Sequence, residues 1–187
     1  MGTRGAYGFY SKGETKVTYN HFDGYPSALG YNILKYCNDH SIEEMRDLFD
    51  RLVMVDENVL PSEGQIEKYR KWLNNQVGNG QDWYSLLREA QGDLGVYDEL
   101  KDEDEVHMID SKDFLKDSLS CEWAYIINLD KEVLEIYEGF QKGSVKGRYG
   151  LRNLIKEYNS VSLIEEIPFD TDSDYMKKLE DEIESLT

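Results

Sequence analysis

The densest gathering of reactive side chains lies near the amino end, where Arg4 is followed by the run Thr18-Tyr19-Asn20-His21-Phe22-Asp23-Gly24-Tyr25-Pro26. Imidazole titrates near neutrality, so His21 is the natural general acid or base, with Asp23 or Asn20 to orient it. Arg4 supplies a cation for an anionic group. Together Arg4, Tyr19, Asn20, His21 and Asp23 are the candidate catalytic set of a small hydrolase or ribonuclease that cleaves a phosphodiester, a guide RNA among its possible substrates. The plainer alternative is a packed aromatic hairpin in which His21 bonds a backbone carbonyl and Arg4 pairs with Asp23 across the strands.

Other chemistry finds little support. The chain contains no GxGxxG, Walker A, HExxH, GxSxG or EF-hand pattern, and no cofactor is expected. An amino-terminal-nucleophile hydrolase fails because removal of Met1 would expose Gly2, which has no nucleophile. Cys37 and Cys121 stand far apart without a CxxC pair or a histidine cluster, so both are expected to be buried thiols, with no metal site.

The elements that must position these residues follow from periodicity and punctuation. Ala6–Tyr10 and Lys16–Phe22 alternate like the strands of a hairpin around Ser11–Glu14, and Asp23-Gly24-Tyr25-Pro26 breaks the second. A helix is expected over Pro26–Asp39. A second opens on the capping box Ser41-Ile-Glu-Glu44, with Ile42, Met45, Leu48, Phe49, Leu52 and Val53 as its apolar stripe. Ser62 caps a third, reaching Val77 before Gly78-Asn79-Gly80, and Asp82 a fourth, Trp83 to about Gln91. Asp93–Asp117 is expected to be a solvated acidic loop with one short helix. Glu122–Leu129 and Glu132–Phe140 then flank Asp130-Lys131 as a second hairpin, with Trp123, Tyr125 and Ile127 opposite Val133, Glu135 and Tyr137. Gln141–Gly150 is a glycine-rich, locally basic loop. After it come a helix through Leu151, Leu154, Ile155 and Tyr158, a strand over Val161–Ile167, and a tail helix capped by Ser173. Met176, Leu179, Ile183 and Leu186 form the apolar stripe of that tail, suited to docking on the parent domain or to homodimerisation.

The implied fold is α+β: two antiparallel hairpins forming a sheet, a central helical insert and a carboxy-terminal helix. Its 187 residues, 40% hydrophobic, suit one domain, with the aromatic hairpin at 1–31, the insert at 32–92, the acidic loop and second hairpin at 93–172 and the helix at 173–187. No apolar run is long enough to span a bilayer, and the opening MGTRGAYGF lacks the order of a signal peptide, so a cytoplasmic location is expected.

Charge is the strongest compositional signal. The formal net charge is −17, yet residues 1–31 carry Arg4, Lys12 and Lys16 against Glu14 and Asp23, which leaves −18 on the remainder. Such a field repels nucleic acid and anionic membranes, excluding direct DNA binding, and attracts partners with basic grooves. The exposed acids expected to make that contact are Asp102, Glu103, Asp104 and Glu105 in one run and Glu165, Glu166, Asp170, Asp172 and Asp174 in another. Carboxylates spaced along a face can occupy the lysine and arginine sites that a nucleic-acid enzyme uses for phosphates.

The segments MGTRG and TYNHFDGYPSALG resemble the opening of a family of small proteins from phages, prophages and bacterial genomes, and CEWAYIINLDKEVLEIYEGF more loosely resembles its second hairpin. The strong part covers about the first 30 residues. The resemblance brings a genomic setting and no established activity. By analogy with acidic phage anti-defence factors, it implies an anti-CRISPR-like inhibitor in the bacterial host cytoplasm, whose partner is a host nuclease with a basic channel, a Cas9-type effector as the leading instance.

Overall fold

The computed structural model describes residues 2–152 and 157–185. Its first elements are strands β1 (Gly5–Ser11) and β2 (Glu14–Asn20), paired antiparallel with Tyr7 opposite Thr18. Lys12 and Gly13 both take left-handed backbone angles, φ 50° and 85°, the twist that a two-residue hairpin turn requires. The strand stops at Asn20 rather than Phe22. The Asn20 amide donates to the Phe22 carbonyl at 2.7 Å while its Oδ1 accepts from the Phe22 N–H at 3.2 Å, so the side chain replaces the ladder and turns the backbone.

A π-turn over Pro26–Gly30 leads into α1 (Tyr31–Asp39), and Ser41 caps α2 (Ile42–Arg51) through the full reciprocal box with Glu44. Leu52 and Val53 leave the expected helical stripe and enter β3 (Leu52–Val55). Lys16 explains the stop: its buried ammonium donates to the carbonyls of Phe49 and Leu52, each at 2.7 Å, and lies 4.4 Å from the centre of the Phe49 ring. A cation at a helix carboxyl end satisfies carbonyls that have no partner within the helix. Ser62 caps α3 (Glu63–Tyr69) by a second complete box with Gln65. That helix tightens into a single 3₁₀ turn at Arg70–Trp72 and ends well before Val77, because Leu73 is extended and Asn74 folds its side chain onto the Gln76 N–H. Asp82 caps the short α4 (Trp83–Leu87), which loosens into turns before Gln91.

The acidic stretch is more structured than its composition implies. It contains α5 (Gly95–Glu99), the fully buried strand β4 (Val106–Ile109) and a 3₁₀ turn at Lys112–Lys116. β3 and β4 pair in parallel as a small second sheet, tied to the edge of β2 by the Ser111 N–H donating to the Val17 carbonyl. Strands β5 (Trp123–Asn128), β6 (Val133–Glu138) and β7 (Ser162–Pro168) and helix α6 (Tyr175–Ser185) complete the chain. The expected helix through Leu151, Leu154, Ile155 and Tyr158 falls largely on residues 153–156, outside the described residues.

The α+β class is as expected, and the two hairpins do form one sheet, in the order β2-β1-β5-β6-β7. They join through their first strands, β1 running parallel to β5 with Tyr7 opposite Tyr125. In the second hairpin Tyr125 faces Ile136 and Ile127 faces Leu134, one residue away from the expected Glu135 and Val133. That register puts Tyr7, Phe9, Tyr125, Ile127, Leu134 and Ile136 on one face, buried against the helices in the main core. The other face carries a smaller core of Ala6, Val17, Ala124, Ile126 and Tyr137. The described part of the α6 stripe docks on its own domain: Met176 is fully buried, Leu179 nearly so, Ile183 packs against the same core, and Glu180 accepts from the Ser27 N–H at 2.7 Å, while Leu186 lies outside the described residues.

Candidate functional site

Two concavities gather chemistry. The first, about 300 Å³, is lined by Tyr19, His21, Tyr84, Arg88, Gln91 and Ser111, with Glu57 at its margin. His21 sits just past the end of β2, its ring edge-on to Tyr19 at 4.9 Å and to Tyr84 at 5.8 Å. Both ring nitrogens are engaged. Nδ1 accepts from the Arg88 guanidinium, which has no acceptor capacity, so Nε2 carries the proton and donates to Gln91 Oε1 at 3.2 Å. Gln91 is held in turn by donating to the Thr18 hydroxyl. Burial, reinforced by the Arg88 charge, lowers the His21 pKa to about 4, so the ring is neutral at physiological pH.

Of the expected catalytic set, only Tyr19 and His21 meet in this cleft. Arg4 lies elsewhere, bonding the Glu122 carboxylate at 3.1 Å and the Leu119 carbonyl at 3.0 Å rather than Asp23. Asn20 is buried in its own turn with Phe22. Asp23 is exposed and, among the described residues, accepts only the Tyr25 N–H, at 3.5 Å. The groups that actually hold His21 are Arg88 and Gln91. Their signal is present in the sequence as Tyr84, Arg88 and Gln91 at four- and three-residue steps on one helical face, but nothing local ties that face to His21.

The second concavity, about 700 Å³, runs between α2 and α5 below the end of α1. Glu43, Glu44, Asp47, Asp98 and Asp102 line it, together with Arg51, Lys101, His40 and the rings of Tyr36 and Tyr97. His40 stacks on Tyr36 with ring centres 4.0 Å apart. Its Nδ1 faces the Tyr36 carbonyl at 2.8 Å and its Nε2 faces Asp98 Oδ1 at 2.7 Å, so both nitrogens must donate and the ring is an imidazolium. Burial alone would lower the pKa of His40, but the Tyr36 carbonyl and the Asp98 carboxylate outweigh it and the net shift is upward.

No family model matches this chain, and neither curated proteins nor solved structures yield a match. Function therefore has to be reasoned from the geometry of the chain's own residues.

The nine acids singled out in the sequence divide among three settings. Asp102 joins the groove, and Asp104 is exposed; Glu103 pairs with Lys68 at 2.8 Å, and Glu105 reaches His107 at 3.5 Å. On β7, Glu166 pairs with Lys131 at 2.7 Å, while Glu165 accepts the Tyr175 hydroxyl at 2.6 Å. Asp170, Asp172 and Asp174 are exposed before α6, Asp174 pairing with Lys177. The two runs are bridged by the end of α1: the Asn38 amide donates to the carbonyls of Phe169 and Thr171, and two residues later His40 bonds Asp98. Glu43, Glu44 and Asp47 on α2 and Asp98 on α5 are the groove acids that composition did not single out.

The remaining reactive groups are structural. His107 is buried against Trp83 and Tyr69, and the Tyr69 hydroxyl meets both its backbone N–H and its Nδ1. Cys37 and Cys121 are buried free thiols whose pKa burial drives upward, which removes thiolate reactivity. Among the described residues no group of three or more His, Cys, Asp or Glu is placed to hold a metal ion.

Proposed function

We propose that this protein is an acidic binding protein of phage origin, an anti-CRISPR-like inhibitor that seats its negative face in the basic nucleic-acid channel of a host defence nuclease. The observation that carries the reading is the 700 Å³ groove, where five carboxylates outnumber Arg51, Lys101 and His40. Arg51 is already engaged, with Asp47 at 2.8 Å and with the carbonyls of Leu100 and Glu103. Glu43 and Asp102 therefore stand ready for a guanidinium or ammonium from outside. The acids around Asp170 are tied to the end of α1 through Asn38, which donates to the Phe169 and Thr171 carbonyls, and they add to the same negative field.

Arginine is the side chain best fitted to such a groove, because its planar fork pairs two carboxylate oxygens at once. The alternative, a His21-dependent hydrolase or ribonuclease, is disfavoured because Arg88 and Gln91 occupy the nitrogens such chemistry needs, and Arg4, Asn20 and Asp23 are bonded elsewhere.

The test is a pull-down against Cas9-type and other nucleic-acid effectors, with and without guide RNA, across a salt series. Retention at about 50 mM salt and loss towards about 500 mM is expected for an electrostatic contact. The double variant Glu43→Lys/Asp102→Lys should bind at least about tenfold more weakly. Binding indifferent both to salt and to the double variant would overturn the proposal.

A further inference from the structure

The 300 Å³ cleft at His21 has the opposite chemistry from the groove, and nothing in the binding reading uses it. Arg88 is half-buried in its wall. One guanidinium nitrogen, Nη1, makes all its hydrogen bonds, to His21 Nδ1 and to the Tyr84 hydroxyl at 3.2 Å. Among the described residues Arg88 has no carboxylate partner, and its Nε–H and Nη2 donors have no acceptor. In a chain with 38 acidic and 21 basic residues, an arginine left without a carboxylate and facing a cavity is a specific feature. Most other arginines here are satisfied by acids or carbonyls, as Arg4, Arg51, Arg70 and Arg148 are.

His21 fixes that geometry. Because its Nδ1 accepts from Nη1, the guanidinium is oriented by a neutral acceptor that leaves its charge uncancelled. A carboxylate in the same place would orient Arg88 equally well but neutralise it. The neutral ring is maintained by burial and by Arg88 itself. Around this cation stand the rings of Tyr19 and Tyr84, and the Tyr19 hydroxyl makes no hydrogen bond among the described residues. Ser111 and the exposed Glu57 also line the cleft.

We infer that this cleft binds a small phosphomonoester that also carries a flat ring and hydrogen-bond donors, the chemistry of a nucleoside monophosphate. The unfilled Arg88 donors take two phosphate oxygens in the fork geometry that guanidinium favours. Tyr84 and Tyr19 offer ring surfaces for stacking. Glu57 accepts from a sugar hydroxyl or an exocyclic amine, which distinguishes such a ligand from bare phosphate. A cleft of this size is at the small end of ligand sites, suited to a mononucleotide rather than a strand. The net negative charge of the chain opposes entry only weakly, since at physiological ionic strength charges beyond about 8 Å are largely screened. The site is independent of the acidic groove, so either can fail without the other.

Titration of the full chain with a nucleoside monophosphate, phenyl phosphate and inorganic phosphate, followed by calorimetry and by the ring resonances of His21 and Tyr84, tests the inference. Affinity is expected to fall in that order. Arg88→Gln should weaken the first two at least about tenfold. Tyr84 is partly exposed, so Tyr84→Ala is the variant least at risk of misfolding; it should weaken the nucleotide and phenyl phosphate several-fold and leave inorganic phosphate little changed. Either of two results would overturn the inference: no shift of the His21 resonances by any probe up to about 10 mM, or nucleotide affinity in folded Arg88→Gln and Tyr84→Ala variants equal to that of the parent chain.

Discussion

Arg148 grips the buried carboxylate of Glu135 at two points, Nη2 to Oε1 at 2.8 Å and Nη1 to Oε2 at 3.2 Å, on the sheet face that carries the smaller core. Asn128 and Tyr137 complete the shell, donating to the same carboxylate at 2.6 and 2.8 Å, and the guanidinium carbon lies 3.3 Å from the centre of the Tyr10 ring. The arginine that composition assigns to a basic loop is thus a structural clamp holding that loop to the sheet.

The two partners differ in exposure, and so should their removal. The Glu135 side chain is 2% exposed and that of Arg148 is 26% exposed. Arg148→Met strands a buried carboxylate and should cost about 3 kcal/mol at pH 7, whereas Glu135→Gln leaves an arginine that can reach water and should cost less. Urea titrations at pH 7 check this; a larger penalty from Glu135→Gln than from Arg148→Met would contradict the account.

His21 and His40 should titrate in opposite directions. The pKa of His21, lowered to about 4, means that the folded chain binds fewer protons than the unfolded chain between that value and about 6.5, so its contribution to stability is lost as pH falls through this window. For His40 the folded pKa is raised, so its contribution is complete below about 6.5 and is lost as pH rises through the folded value. An NMR titration of the ring protons should find one midpoint below 5 and one above 6.5. Asp98→Asn should lower the upper midpoint and leave the lower unchanged.

What could be read in advance was local. Ser41 with Glu44, and Ser62 with Gln65, specify helix starts within three residues, and both boxes form in full. Val106-His107-Met108-Ile109 is too short to declare itself after the Asp102–Glu105 run, and its partner β3 lies more than fifty residues earlier, so that strand pair depended on tertiary packing. The His21 cleft has the same character. Its histidine stood out, but Arg88 and Gln91 are 67 and 70 residues away, and a pairing across that distance leaves no local pattern. Asn20 and Asp23, one and two residues from His21, were captured by turns instead, as short polar side chains commonly are.

Lys16 is the residue on which the end of α2 depends. Its ammonium donates to two carbonyls at the junction of α2 and β3, so Lys16→Met keeps the volume and removes those donors. A loss of about 2 kcal/mol is expected, seen as a fall in Tm of roughly 4–8 °C for a chain of this size. Amide exchange should quicken in the last turn of α2 and in β3 before other elements. Uniform exchange across the chain would argue against a local role.

Gly30 and Met176 meet where α6 docks, and their contact predicts a coupling whose sign is diagnostic. A Cβ on Gly30 would stand 2.9 Å from the Tyr125 ring and closer still to the Met176 methyl, so Gly30→Ala should push the methionine aside and loosen α6. Met176 is fully buried, and Met176→Ala alone should cost about 2–5 kcal/mol through lost contacts and the space left behind. In the double variant the new methyl occupies part of that space, so the two losses should sum to more than the double variant shows, by about 0.5–2 kcal/mol. A double-mutant cycle by urea denaturation measures this directly. Simple additivity would mean that α6 does not rest on Gly30 in solution, and the tail stripe would then be free to seek another surface.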